Sequence, residues 1–189
     1  MRKILLINGS PNRDGNTAAA MKIVAAALAE KGIETQWFQL STGPVRGCIG
    51  CEQCESTHRC VFTDDQANEL IEKIVQCDGV VIGSPVYFAG PNGALLALLD
   101  RVFYAGSCHG RLFKGKPGAA VVTLWRAGST ASLDRLHKYF SYSEMPIVSS
   151  TYWNMLHSGN DGFGEKTLWT LGENMAELVL KTAAKEVFP

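Results

Sequence analysis

Residues Ile4 to Thr17 read Ile-Leu-Leu-Ile-Asn-Gly-Ser-Pro-Asn-Arg-Asp-Gly-Asn-Thr. The apolar run ends at Asn8-Gly9, a turn-forming stretch follows, and Asn16-Thr17 begin a long alanine-rich helical pattern. This order predicts a strand, a loop and a helix whose N-terminus faces the loop. Backbone amides at such an N-terminus, with a helix dipole worth roughly 0.3–1 kcal/mol, favour an anion such as a phosphate.

The side chains of this loop suit a phosphate. Hydrogen-bond donors occur at Ser10, Asn12, Asn16 and Thr17. The one cation, Arg13, is followed directly by Asp14, so neutral donors rather than net charge would hold the anion. The loop lacks the lysine of a Walker motif and the G-x-G-x-x-G of a dinucleotide-binding turn. The alternative is an ordinary strand-to-helix loop with a helix cap.

Strand and helix patterns alternate along the rest of the chain. Further strands are predicted at 33–40, 79–83, 117–124 and 146–150, and helices at 17–31, 64–77, 93–103, 129–140 and 165–185. A capping box of Thr63 and Gln66 predicts the start of the second helix. The alternation predicts an α/β fold, a doubly wound sheet of five parallel strands with helices on both faces. Residues 1–189 are expected to form one domain with a cysteine-rich insertion at about 41–62.

Composition narrows the class of partner and the compartment. Lys plus Arg equals Asp plus Glu at 18 each, which argues against nucleic acid or an anionic membrane as a partner. We find neither a signal peptide nor a membrane span, and we expect a cytoplasmic protein. Six cysteines are too few for a disulfide scaffold at this length, so free thiols in a reducing compartment are expected.

Two more loops follow predicted strands and should lie beside the first. One reads Gly83-Ser84-Pro85-Val86-Tyr87-Phe88-Ala89-Gly90-Pro91, and the other Trp125-Arg126-Ala127-Gly128-Ser129-Thr130. Ligands of such sheets bind at the carboxyl ends of the strands. A phosphate loop, an aromatic pair and a polar loop with one arginine suit a mononucleotide with a large planar head, for which flavin mononucleotide (FMN) is the best fit. The alternative is that Tyr87, Phe88 and Trp125 simply cover the core.

These loops carry a resemblance over nearly the whole chain. Residues 10–17, Ser84-Pro85-Val86-Tyr87-Phe88 and the arginine-containing loop resemble the flavodoxin-like NADPH-dependent FMN reductase family. The resemblance implies noncovalent FMN, with its phosphate held by Ser10, Asn12, Asn16 and Thr17 and with Arg13 counted among the cofactor-binding residues. It places Pro85, Val86, Tyr87, Phe88, Arg126, Ala127 and Gly128 around the isoalloxazine ring.

The cysteine-rich segment gives a second signal. Cys48, Cys51, Cys54 and Cys60 follow the spacing C-x2-C-x2-C-x5-C, and four thiolates are what a 4Fe-4S cluster requires. A four-cysteine zinc site, a redox-active disulfide and unoccupied thiols remain as alternatives. The spacing is similar to that of the iron-sulfur flavoproteins, a branch of the same family, in which the cluster exchanges single electrons with FMN across a subunit interface.

These inferences predict an FMN-dependent oxidoreductase. Electrons would move from NAD(P)H or a ferredoxin-like donor to a quinone-like or other small acceptor, and no side chain need act as acid or base. Arg126 is the candidate for stabilising the anionic reduced flavin, and a homodimer or homotetramer is expected from the family. The alternatives are a plain reductase without a cluster, a flavodoxin-type electron carrier, and a scaffold whose flavin is vestigial.

Overall fold

A computed structural model describes residues 2–108 and 110–185 of the chain. The strands are β1 Lys3–Asn8, β2 Glu34–Gln39, β3 Gly79–Tyr87, β4 Gly90–Pro91, β5 Gly118–Leu124 and β6 Met155–His157. The helices are α1 Asn16–Glu30, α2 Cys54–Thr57, α3 Ala67–Gln76, α4 Gly93–Ser107, α5 Ser129–Tyr142 and α6 Gly162–Lys185.

Five of the strands form one parallel sheet in the order β2-β1-β3-β5-β6. The short strand β4 lies off this path and pairs antiparallel with the end of β3. The order matches the flavodoxin-like arrangement, in which the direction of strand addition reverses beside β1. The predicted fold class is therefore confirmed.

Helices cover both faces of the sheet because its strands are apolar on both sides. On one face, α3, α4 and α5 pack against Leu5, Ile7 and Val80. On the other, α1 and α6 pack against Ile4 and Leu6. The helices return antiparallel to the strands, so their N-termini lie at the carboxyl edge of the sheet. Within the described residues, we found no helix that is both long and apolar enough to span a membrane.

The predicted fifth strand at 146–150 is wrong in position. That segment contributes a single bridge, between Ile147 and Gly118. The fifth parallel strand is Met155–His157, between the strand predicted at 146–150 and the helix predicted at 165–185. Its three residues are too short for a period-2 pattern to stand out, whereas 146–150 has the more strand-like composition.

The predicted capping box is also wrong. The side chain of Gln66 does not accept from the backbone at the start of its helix. Its NH2 group donates to the carbonyl of Gln39, and its oxygen accepts from the backbone N–H of Ser41. The helix α3 starts at Ala67 rather than at 64, and the Asp65 carboxylate accepts the Ala67 amide at 3.1 Å. Gln66 thus ties the start of the cysteine-rich segment to the end of β2.

Candidate functional site

Four loops meet at the carboxyl edge of the sheet. They follow β1, β3, β5 and β6, whose ends lie in register: Asn8 is paired with Gly83, and Leu124 with His157. The sheet therefore brings the three predicted flavin-binding loops together. It also adds a fourth loop, after β6, that the sequence analysis did not connect with the phosphate.

The phosphate loop is wound by its own side chains. Asn8 Oδ1 accepts the Ser10 amide at 3.1 Å, Ser10 Oγ accepts the Asn12 amide at 3.1 Å, and Asn12 Oδ1 accepts the Asp14 amide at 3.3 Å. In these bonds the side chains of Ser10 and Asn12 act as acceptors. The hydroxyl hydrogen of Ser10 and the side-chain NH2 group of Asn12 therefore remain as donors. Gly15 caps α1 without a side-chain bond, and the first turn of α1 contains no acidic residue. The loop thus presents donors and a positive helix end to one place.

Two residues that the sequence analysis missed hold this loop in place. The side chain of Gln39, at the end of β2, accepts from the side-chain NH2 of Asn8 at 2.8 Å and donates to the Ser10 carbonyl at 2.7 Å. Asn92 donates to the Gly9 carbonyl at 2.9 Å and caps α4 by accepting the Ala94 amide. Both are polar residues at the ends of elements, but their partners are distant in sequence and only the fold reveals the contacts.

Thr17 and Asn16 contact other loops at this edge. Thr17 is buried in the first turn of α1, and its hydroxyl lies 2.8 Å from that of Thr123, near the end of β5. The Asn16 amide donates to the hydroxyl of Ser158, directly after β6, at 3.0 Å. The start of α1 is therefore fixed to the ends of β5 and β6. Ser158 could not be placed here from sequence because β6 was not recognised as a strand.

The two predicted arginines of the site are exposed. Arg13 lies beside Trp37 and Lys22 on the outer side of the phosphate loop. Arg126 lies in the exposed loop after β5. Among the described residues neither guanidinium forms an ion pair, so both charges remain available to an anionic ligand.

The predicted loop Gly83 to Pro91 forms a β-hairpin. Strand β3 continues to Tyr87, and its last two residues pair with Gly90 and Pro91. The two turn residues, Phe88 and Ala89, have φ angles of 49° and 60°. Two-residue hairpins require such angles and usually place asparagine or glycine there, so a bulky aromatic is strained by roughly 1–3 kcal/mol. Phe88 is also fully exposed to solvent.

The loop after β5 packs directly against this hairpin. Gly128 has a φ angle of 96°, and a Cβ added there would lie 2.5 Å from Ala89 Cα and 3.0 Å from Val86 Cγ1. Only glycine allows both that backbone conformation and this close approach. The two segments predicted to border the flavin ring are therefore in contact with each other.

The four predicted ligand cysteines line a single pocket. Cys48, Cys51, Cys54 and Cys60 share it with Phe62 and with Arg101 and Tyr104 of α4, as well as with Ile49, Glu52 and Val61. Asn68 holds the far end of the segment, accepting the Cys60 amide at 2.8 Å and donating to the Cys60 carbonyl at 3.0 Å. Positive φ angles at Gly50, Glu52 and His58 turn the backbone around the pocket.

The chemistry of this pocket fits a group held by thiolates. All six cysteines are free thiols, and four of them face one pocket beside a buried guanidinium. As they lie, no three His, Cys, Asp or Glu side chains of the described residues are arranged around a common metal position. Burial and the neighbouring Cys108 raise the pKa of the Cys54 thiol to about 11, so ligation there would displace a proton. Binding would also draw the sulfurs closer together.

Comparison with known proteins establishes the class. The sequence profile of the NADPH-dependent FMN reductases matches residues 2–159. The chain belongs to the NADPH-dependent FMN reductase family. The predicted class of enzyme, an NAD(P)H-dependent FMN-containing oxidoreductase, is thereby confirmed.

Two relatives named iron-sulfur flavoproteins match nearly the whole chain. One from Methanocaldococcus jannaschii is 31% identical over 94% of this chain and 97% of its own length. One from Archaeoglobus fulgidus is 34% identical over 95% of this chain and 92% of its own. The predicted similarity to this branch is confirmed.

Solved structures agree on the fold. RosB, solved with 8-demethyl-8-formylriboflavin-5'-phosphate bound, has a TM-score of 0.74 at 14% identity and covers 100% of this chain and 88% of its own. A flavodoxin from the domain Archaea has a TM-score of 0.65 at 12% identity, covering 94% and 99%. At these identities the likeness supports the flavodoxin-like fold alone.

Proposed function

We propose that this chain binds FMN at the carboxyl edge of the sheet and a 4Fe-4S cluster in the cysteine pocket, and that it moves electrons between NAD(P)H or a ferredoxin-like donor and a quinone-like or other small acceptor. FMN accepts hydride from a nicotinamide and releases electrons singly or in pairs, which lets it join the two kinds of partner. The observation that carries the proposal is the convergence of three strand-end loops on one edge while four cysteines share one pocket.

The phosphate of FMN would be bound by the loop after β1. Ser10 and Asn12 offer unused donors, the uncapped start of α1 offers amides, and Arg13 offers an exposed charge. Thr123 can donate to Thr17, which leaves the Thr17 hydrogen for a phosphate oxygen.

The hairpin and the loop after β5 would border the flavin ring. Pro85, Val86, Tyr87 and Phe88 form one side, and Arg126, Ala127 and Gly128 the other. Arg126 would place positive charge at the pyrimidine edge, where the reduced flavin is anionic. Strain at Phe88 supports a role in binding, because residues held in costly conformations are concentrated at functional sites.

The cluster would be ligated by Cys48, Cys51, Cys54 and Cys60, each as a thiolate. Their pocket lies along the side of α4, and Arg101 is nine residues after Asn92, which marks the flavin edge. At a rise of 1.5 Å per residue this is roughly 14 Å along the helix. From the resemblance to the iron-sulfur flavoproteins, we propose that the cluster of one chain serves the FMN of another.

Exposed aromatic residues support assembly through the flavin edge. Phe88 and Trp125 are exposed on the two proposed ring-binding segments. The ring centroid of the exposed Tyr152 lies 4.5 Å from that of Trp153, with the ring planes tilted by 59°, and 5.5 Å from that of Phe163. Large exposed apolar surfaces rimmed by polar residues mark interfaces. We propose a homodimer or homotetramer of one-domain chains, in the cytoplasm, where thiols remain reduced.

Turnover with small acceptors tests the enzymatic proposal. We expect anaerobic protein loaded with FMN to oxidise NADH or NADPH continuously when a quinone is supplied, measured as the loss of absorbance of the nicotinamide. A protein that becomes reduced once and then only passes electrons to a ferredoxin-like protein would instead be an electron carrier. A protein that binds no flavin would support a scaffold.

Replacing Thr17 by valine is expected to weaken FMN binding by roughly 1–3 kcal/mol, because a phosphate oxygen loses a charged hydrogen bond. Valine keeps the shape of the side chain, so packing in the first turn of α1 is preserved. Titration of the apoprotein with FMN measures the change. Thr123→Val is the matched control, with a smaller effect expected because the Thr17 hydroxyl remains. Unchanged affinity in Thr17→Val would remove Thr17 from the phosphate site.

A further inference from the structure

A buried ion pair lies at the wall of the pocket that the four cysteines line. The Arg101 side chain, on α4, is 1% exposed and the Asp65 side chain, just before α3, is 5% exposed. Arg101 Nη2 donates to Asp65 Oδ2. A buried pair of charges must overcome a large desolvation cost, and an apolar pair of similar volume is often at least as stable. Its presence beside four cysteines calls for a role beyond stability.

The geometry directs the guanidinium towards one of those cysteines. Arg101 Nη1 lies 3.5 Å from Cys60 Sγ, within the range of a hydrogen bond to sulfur. Arg101 lines the same pocket as all four cysteines, and its guanidinium carbon lies over the Phe62 ring, 5.7 Å from the ring centroid. In the part of the chain that the structure describes, Arg101 Nε is buried without a hydrogen-bond partner. The ion pair with Asp65 therefore uses only some of the hydrogen-bond donors of Arg101.

We propose that Arg101 donates a hydrogen bond to the ligating sulfur of Cys60 and so raises the reduction potential of the proposed cluster, with Asp65 holding the guanidinium in position. This inference rests on the proposed function. Reduction adds negative charge to a cluster, and hydrogen bonds to its sulfurs and nearby positive charge favour that reduced form. Arg101 supplies both from a site shielded from solvent, where screening by salt is weak.

The planar fork of arginine is what this arrangement requires. Nη2 reaches Asp65 while Nη1 reaches Cys60, so one rigid group makes both contacts. A lysine ammonium is a point charge on a flexible chain and does not reproduce the two directions together. Arg101→Lys should therefore retain charge but lose part of the effect on the potential.

Tyr104 provides a matched control in the same pocket. Its hydroxyl donates to Glu55 Oε1 at 3.1 Å rather than to a sulfur. Tyr104→Phe changes one polar group of the pocket lining without touching the hydrogen bond to Cys60. Its cluster potential should equal that of the unaltered protein.

The test is a redox titration of anaerobically prepared, cluster-loaded protein, followed by electron paramagnetic resonance. Arg101→Met should shift the midpoint potential downwards, and Arg101→Lys should shift it less. An iron-loaded Arg101→Met protein with an unchanged potential would overturn the proposal.

The outcomes separate this inference from the proposal on which it rests. Protein that holds neither iron nor sulfide before any substitution would refute the cluster itself. If Arg101→Met fails to fold or to retain iron, Arg101→Lys decides: a downward shift supports the hydrogen bond from Arg101 to Cys60, and no shift overturns it. The double variant Asp65→Asn/Arg101→Met removes both charges and should lie below the unaltered protein but above Arg101→Met alone.

Discussion

Gly128→Ala is expected to weaken FMN binding roughly ten- to hundredfold, the equivalent of about 1.4–2.8 kcal/mol. The new Cβ would lie 2.5 Å from Ala89 Cα, closer than real Cβ contacts allow, so the hairpin turn or the loop after β5 must move. Both segments are proposed to border the flavin ring, and a displacement of either spoils its contacts. Titration of the apoprotein with FMN, followed by flavin fluorescence, measures the loss.

Gly32→Ala separates this clash from backbone strain. Gly32 also has a positive φ angle, 73°, but a Cβ there would meet no atom within 4 Å. It follows α1 at the opposite edge of the sheet, so its substitution should lower thermal stability without changing FMN affinity. An equal affinity for FMN in Gly128→Ala and in the unaltered protein would exclude the hairpin and loop as the borders of the flavin.

Cys51→Ser should abolish cluster binding while FMN stays bound. A complete cluster corresponds to about four iron atoms per chain, and serine is a poor substitute for a thiolate ligand. Cys51 is exposed, so its replacement should not disturb the fold. Nicotinamide oxidation should survive, whereas single-electron exchange with a ferredoxin-like partner should fail. Iron analysis, the visible spectrum and the two assays measure these effects.

Cys108→Ser is the matched control for that substitution. Cys108 lies at the end of α4, near Cys54, and donates to the Tyr104 carbonyl at 3.0 Å. It does not line the pocket of the four cysteines. Its variant should retain a full complement of iron. Iron retained by Cys51→Ser, or lost equally from Cys108→Ser, would contradict the proposed set of ligands.

Removal of the cluster should also loosen the cysteine-rich segment. Its end is held by the bonds of Asn68 to Cys60 and by the pair of Arg46 and Asp64, but residues 47–51 are exposed and nearly devoid of long apolar side chains. Without a bound metal little offsets the entropy of ordering them. Faster hydrogen exchange over 47–59 in Cys51→Ser than in Cys108→Ser would show this.

The sequence predicted the sheet and most of its helices because their signals are local. The buried strands are continuous apolar runs, and Asn16-Thr17 marks the start of α1. The fifth strand was misplaced because β6 contains only three residues and draws its stability from pairing with β5. The capping box failed because Gln66 found partners at Gln39 and Ser41, a tertiary contact that overrides a local motif.

The candidate site shows the same contrast between features that local sequence predicts and features that depend on tertiary contacts. The loops that contain Ser10, Phe88 and Gly128 could be placed at one edge of the sheet in advance, because they follow predicted strands. The supports could not: Gln39 and Asn92 reach the phosphate loop from elements distant in sequence. The role of Arg101 could not be predicted from the sequence for the same reason. Its burial against Cys60 and Asp65 depends on how α4 packs beside the cysteine-rich segment.

Anaerobic purification followed by a visible spectrum and by FMN, iron, sulfide and zinc analysis tests whether this chain holds both FMN and a 4Fe-4S cluster. We expect near-equimolar FMN with about four iron and four sulfide per chain and no zinc. Four free thiols with neither iron nor zinc, in protein that still performs full one-electron transfer, would contradict it and leave a plain FMN reductase.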